Sequence, residues 1–136
     1  MTPYLTFNAQ CEAAFKFYET ALGGKIVAML RHGDVPMGGP VPPEAKNHIL
    51  HARLMVGDRA LMGSDAQQGR YEAPKGFYVN ISPADPAEAE RLYKTLSEGG
   101  QVHMPLQETF WAQRFGMFAD RFGIPWMINC EKAHAA

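Results

Sequence analysis

Apolar side chains recur at helical spacing in two stretches of the chain. In the first, Ala14, Phe15, Tyr18 and Leu22 fall on one face, which predicts a helix over Cys11–Leu22 that stops at Gly23-Gly24. In the second, Ala89, Leu92, Tyr93 and Leu96 predict a helix over Pro86–Glu98 that stops at Gly99-Gly100. Asp85-Pro86 is a start signal for it: a side-chain acceptor at the cap, then a proline whose missing N–H is not needed in the first turn. Elsewhere the pattern has period two. It predicts strands at Tyr4–Phe7, Ile26–Arg31, His48–Val56 and Arg59–Ser64, then at Gly76–Ser82, Val102–Leu106, Arg114–Asp120 and Pro125–Cys130. Gly57-Asp58 suits a tight hairpin turn.

The ends of the two helical stretches resemble each other. Phe17-Tyr18-Glu19-Thr20-Ala21-Leu22-Gly23-Gly24 parallels the segment from Leu92-Tyr93-Lys94-Thr95 to Gly99-Gly100. Common helix formers before a glycine stop could produce this by chance. Each helix, however, follows one strand and precedes three, and that shared order favours an internal duplication. The expected class is α+β: one domain over residues 1–136, made of two βαβββ modules (1–66 and 75–131) with cupped sheets around a cleft. The long loops His32–Asn47 and Ala66–Lys75 remain, and loops of that length in a compact domain are often functional.

Alternation assigns the strand faces. Phe77, Val79 and Ile81 pack on the helices, leaving Tyr78, Asn80 and Ser82 opposite. Trp126, Ile128 and Cys130 pack, leaving Pro125, Met127 and Asn129. Leu5 and Phe7 pack, leaving Tyr4 and Thr6. Leu50, Ala52, Leu54 and Val56 pack, leaving Ile49, His51, Arg53 and Met55. A water-facing surface would carry more Lys and Glu than these second faces do. Their mixture of Tyr, His, Arg, Asn and Met fits a ligand cleft, and it also fits a dimer interface or a filled barrel.

Composition narrows the function classes. A net charge of −1 supplies no basic field for a nucleic-acid backbone. No apolar run is long enough to span a bilayer, and the first residues lack a signal peptide's basic and apolar regions, so a cytoplasmic location is expected and no membrane partner. Cys11 and Cys130 each stand alone, which excludes a CxxC site and leaves two packed, reduced thiols. There is no P-loop, GxGxxG, GxSxG or HExxH motif.

Candidate chemistry sits on the second faces. His51 and Arg53, two apart on one strand, could together hold an anion, with Arg as a fork of donors and His as a switchable proton. An ordinary surface pair has the same spacing. Glu108, beside Phe110 and Trp111, is a candidate general base if that setting desolvates it; the alternative is a solvated carboxylate next to a covering tryptophan. His51 is the other candidate base. Asp65 reads as a turn residue and Gly123 as a turn glycine. His48 and His51 lie on opposite strand faces and do not form a metal pair. His103 is expected away from the cleft.

Pro3-Tyr4-Leu5-Thr6-Phe7, the Phe17-Tyr18 helix ending at Leu22-Gly23, Ser64-Asp65-Ala66, Gln107-Glu108-Thr109-Phe110-Trp111-Ala112 and Phe122-Gly123-Ile124-Pro125-Trp126-Met127-Ile128-Asn129 together resemble the PhnB-like family of the vicinal oxygen chelate superfamily, which includes glyoxalase I, bleomycin-resistance proteins and extradiol dioxygenases. The resemblance covers nearly the whole chain. It implies paired βαβββ modules, commonly in a homodimer. In metal-using members, four ligands come from the first, fourth, fifth and last strands. Those places fall here at Tyr4 (or Pro3), Met62 or Gly63, Tyr78 and Met127, none a good donor for a divalent metal. Relatives often carry a ubiquinone-pathway methyltransferase label, but no glycine-rich cofactor loop supports it here. The leading expectation is therefore a small-molecule-binding protein with no cofactor. Its ligand, an organic anion, would be lined by Tyr4, His51, Arg53, Tyr78, Asn80, Trp111, Met127 and Asn129. The alternatives are a base-assisted isomerase- or lyase-type enzyme using Glu108 or His51, and a metal enzyme with a divalent ion relocated to His51 and Glu108.

Overall fold

The computed structural model describes residues 1–34 and 43–132, so the middle of the loop expected at His32–Asn47 lies outside the described residues. The chain divides between Glu72 and Ala73 into two compact units. The first contains β1 (Tyr4–Phe7), α1 (Cys11–Leu22), β2 (Lys25–Arg31), β3 (Ile49–Val56) and β4 (Arg59–Asp65). The second contains β5 (Val79–Ile81), α2 (Pro86–Ser97), β6 (Gln101–Gln107), β7 (Ala112–Ala119) and β8 (Pro125–Glu131). The sheet orders are β1-β4-β3-β2 and β5-β8-β7-β6. In each, the first and last strands pair in parallel and the other pairs are antiparallel. Both units are therefore βαβββ modules with one topology.

In the first module, Ala14, Phe15 and Tyr18 of α1 are buried with Leu5, Phe7, Ala52 and Leu54 of the sheet. Phe7 meets Phe15 edge-on at 6.1 Å between ring centres. Each such large apolar side chain removed from water contributes roughly 1.5–3 kcal/mol. Gly63 lets the helix approach: a Cβ there would lie 2.8 Å from both the Leu5 carbonyl oxygen and the Phe15 ring. Gly23, at φ 68°, closes α1 in the left-handed conformation.

The start of α1 has no local cap, because the Gln10 side chain accepts no hydrogen bond there. Asp65, at the end of β4, takes the role. Its Oδ1 accepts the Cys11 N–H at 2.9 Å and its Oδ2 accepts the Ile49 N–H at 2.8 Å. The expectation that Asp65 is a turn residue is thus corrected: it is a buried carboxylate joining a helix start to a strand start. Strict alternation also fails at the beginning of β3. Leu30 pairs with His51 but Arg31 pairs with Ile49, an irregularity that passes over Leu50. Ile49 consequently packs in the core while Leu50 is half-buried.

In the second module, Ala89, Leu92 and Leu96 of α2 are buried, as are Phe118, Trp126, Ile128 and Cys130 of β7 and β8. Asp85 caps α2 as its sequence indicates, Oδ1 accepting the Ala87 N–H at 3.0 Å. Asp120 organises the β7–β8 turn. Oδ1 accepts the N–H groups of Phe122 and Ile124, and Oδ2 accepts the Trp126 indole N–H at 2.8 Å. Gly123 occupies the turn at φ 86°. The strand expected from Gly76 shortens to Val79–Ile81. Gly76 is left-handed at φ 84°, which is incompatible with a strand, and Phe77 is 48% exposed instead of packed. Cys11 and Cys130 are buried free thiols. No helix among the described residues is long and apolar enough to cross a membrane.

Candidate ligand-binding faces

In each module the helix covers one face of the sheet, and the candidate residues lie on the other. In the first module, one row crosses all four strands: Tyr4 on β1, Met62 on β4, Arg53 on β3 and Ala28 on β2. Arg53 alternates with fully buried Ala52 and Leu54, so its side chain leaves the sheet on the side away from α1. It is exposed, and it has no ion pair among the described residues. His51 is half-buried on the same face. The Tyr4 hydroxyl lies 3.3 Å from His51 Nδ1, and the two rings stack with centres 5.9 Å apart at 24°. Tyr4, His51 and Arg53 thus share one open face, as parity indicates.

Beneath that face, the Cys11 thiol is held far above its ordinary range, first by burial and then by the Asp65 carboxylate. It is a packing group and not a nucleophile. At the rim of α1, Glu12 accepts from Lys16 and Arg31, at 2.9 and 2.6 Å. These two hydrogen bonds hold its carboxyl below the usual carboxylate range.

The second module carries three rows on its open face. One runs across β8, β7 and β6 as Pro125, Ala119 and Gln101, the first two with small side chains. The next is Asn80, Met127, Met117 and Met104, one from each strand. The third pairs Asn129 with Phe115 and Phe115 with Gln107. At the small-residue end, the Tyr78 hydroxyl lies 2.8 Å from His103 Nδ1, the rings edge-on at 5.8 Å. At the other end, Trp111 meets Phe115 edge-on at 5.2 Å and Phe110 at 4.8 Å. Asn80 Nδ2 donates to Ser82 Oγ. Asn129 Nδ2 donates to Glu131 at 3.4 Å, which leaves its Oδ1 as a buried acceptor with no partner among the described residues.

Two sequence expectations are corrected here. His103 is not remote from this face: pairing passes directly from Val102↔Phe118 to Met104↔Met117, so His103 sits in a bulge and reaches Tyr78. Nothing in simple alternation marks that bulge. Glu108 is not desolvated by its aromatic neighbours. Its side chain is 65% exposed and pairs with Lys132 at 3.2 Å.

The superfamily's metal positions can be tested against donor chemistry. Tyr4 and Met62 are register partners, and Gly63 faces α1 where no side chain fits. In the second module the positions hold Tyr78, whose hydroxyl meets His103, and Met127, which lies in the thioether row. Phenols and thioethers do not make a site for a hard or borderline divalent ion. His51 and Glu108, the relocated alternative, each have their own partner, Tyr4 and Lys132. Among the described residues no three His, Cys, Asp or Glu side chains come together.

The family model of the Glyoxalase/Bleomycin resistance protein/Dioxygenase superfamily matches residues 3–128. The chain is 31% identical to protein YjdN of Escherichia coli K12, over 97% of this chain and 95% of that protein. It is 50% identical to the solved structure of protein PA1353 from Pseudomonas aeruginosa, with 98% of each chain covered and a TM-score of 0.88. A PhnB protein from Bacillus cereus shares the fold at 21% identity, with 95% of this chain and 97% of that one covered and a TM-score of 0.79. The chain, with its glyoxalase-like α+β fold of two βαβββ modules, belongs to the Glyoxalase/Bleomycin resistance protein/Dioxygenase superfamily.

Proposed function

We propose that this protein binds a small, partly apolar organic acid without the divalent metal that other superfamily members use. The supporting observation is Arg53, an exposed guanidinium without an ion pair among the described residues, on the same open sheet face as His51 and Tyr4. A carboxylate can take two parallel hydrogen bonds from it, a geometry that Lys does not reproduce. The apolar part of the ligand packs on Tyr4 and Met62 of the same face, and the donor chemistry of Tyr4, Met62, Tyr78 and Met127 supports a metal-free reading. A homodimer belongs to the same reading. It is supported by exposed apolar side chains on the edge strands, Val27 and Leu30 on β2 and Val102 on β6. Light scattering that gives a monomer at micromolar concentration would remove that part.

A thermal-shift screen of small organic acids, benzoate among them, tests the binding function. Arg53→Lys and His51→Ala each weaken binding of a hit. Arg53→Lys does so by about tenfold or more, the loss of a hydrogen bond to a charged group. Arg59→Gln, at the β3–β4 hairpin, leaves binding unchanged. If no acid raises the melting temperature, or if Arg53→Lys binds as well as the parent, this function is wrong.

A further inference from the structure

The second module's open face has a feature the function above does not use. Three methionines, one each from β8, β7 and β6, stand side by side in the row Met127–Met117–Met104. The residue next to the last of them is His103, exposed and bonded through Nδ1 to the Tyr78 hydroxyl at 2.8 Å. A phenol that donates to Nδ1 leaves the imidazole hydrogen on Nε2, pointing away from the tyrosine. Ala119 and Pro125, register partners on the same face, both have short side chains. The face therefore combines a flat, polarisable strip, which takes an aromatic ring well, with one oriented N–H donor at its edge. Met104 is itself exposed, so the strip is accessible from solvent.

We propose that this face is a subsite for an oxygen-bearing aromatic ring: the ring lies on Met127, Met117 and Met104, and His103 Nε2–H donates to its oxygen substituent. Tyr78 is a positioning residue that fixes the imidazole. The proposal rests on the small-molecule reading above and extends it to the open face of the second module. It needs no negative charge on the ring, which separates the two in experiment.

The probe is benzamide, a neutral aromatic amide, titrated into protein with 13C-labelled methionine methyl groups. Ring currents shift the Met104, Met117 and Met127 methyl signals saturably. His103→Ala weakens benzamide binding by about fivefold, the value of one neutral hydrogen bond. Tyr78→Phe weakens it less, and His103→Gln, which keeps an N–H donor, recovers part of the loss. The dispersion of the remaining methionine signals shows that each variant is folded. Arg53→Lys leaves benzamide binding unchanged while weakening benzoate. The proposal is overturned if benzamide moves none of these three methyls, or moves them with equal affinity in His103→Ala. Benzoate binding that depends on Arg53, with the methionine row silent, would keep the proposed function and remove this subsite. A benzamide response with no Arg53-dependent acid binding would do the reverse.

Discussion

The two modules share a strand order, yet they secure their helices by different means. In the second, the residue before α2 is its cap: Asp85 takes the Ala87 N–H, and the whole arrangement lies within a few residues of sequence. In the first, the residue before α1 caps nothing, and Asp65 comes in from the far end of β4 to take the Cys11 N–H and, with its other oxygen, the start of β3. The second module also has a buried aspartate, Asp120, but it spends its oxygens on a turn and on an indole, not on the helix. One topology therefore tolerates different wiring, provided every buried donor finds an acceptor. The open faces diverge in the same way. The row that ends in Arg53 and Ala28 in the first module is matched in the second by a row of methionines.

Removing these acceptors is the strongest way to break the comparison. Asp120→Ala removes the acceptor of the Phe122 and Ile124 N–H groups and of the buried Trp126 indole N–H, and should cost about 3–5 kcal/mol in urea denaturation. Asp65→Ala removes the acceptor of the Cys11 and Ile49 N–H groups, and should cost about 2–4 kcal/mol. Both losses should be larger than that of the local cap, because both carboxylates are buried. If Asp65→Ala proves as mild as a surface substitution, the long-range cap is not what holds the first module together.

The distant cap has an electrostatic consequence for its neighbour. Burial, with Asp65 second, holds the Cys11 thiol protonated where an unfolded thiol would ionise. Above the unfolded value, about pH 8.5, the native state therefore binds one more proton than the unfolded state, and stability falls as pH rises. The slope due to this group is at most about 1.4 kcal/mol per pH unit. Below about pH 8.5 the contribution is flat. Comparing denaturation of the parent and Cys11→Ala at a series of alkaline pH values isolates it, since the other ionising groups are common to both. Equal slopes would mean that the thiol is not shielded.

Asp85→Ala removes only the local cap and should cost about 1 kcal/mol. That contrast also marks what the sequence makes legible. Both helices, the Asp85-Pro86 start and the order of all eight strands follow from periodicity and local stop signals, because the forces behind them act within a turn or two of chain. The shared face of His51 and Arg53 is readable too, since β3 is regular where they lie. What is not readable depends on pairing between distant strands. Asp65 meets Cys11 across 54 residues. Ile49 goes inward, and His103 comes to Tyr78, because of bulges set by partner strands. Only the left-handed Gly76 had a local signal, a glycine at the edge of the expected strand, and it pushed Phe77 out into solvent.

The smallest expected effect bears on Glu108. It pairs with Lys132 at 3.2 Å, the two side chains being 65% and 40% exposed. Water screens such a pair and both long side chains lose freedom in making it, so Lys132→Gln should change stability by less than about 1 kcal/mol. The backbone bond from the Lys132 N–H to the Trp111 carbonyl is untouched by the substitution and keeps the aromatic loop in place. Binding of an organic acid should also be unchanged, because neither member of the pair lies in the rows that carry Arg53 or the methionines. A marked loss of binding in Lys132→Gln would show instead that Glu108 must be held in place for the ligand. That would return the aromatic loop, and the base chemistry it suggests, to the centre of the second module's function.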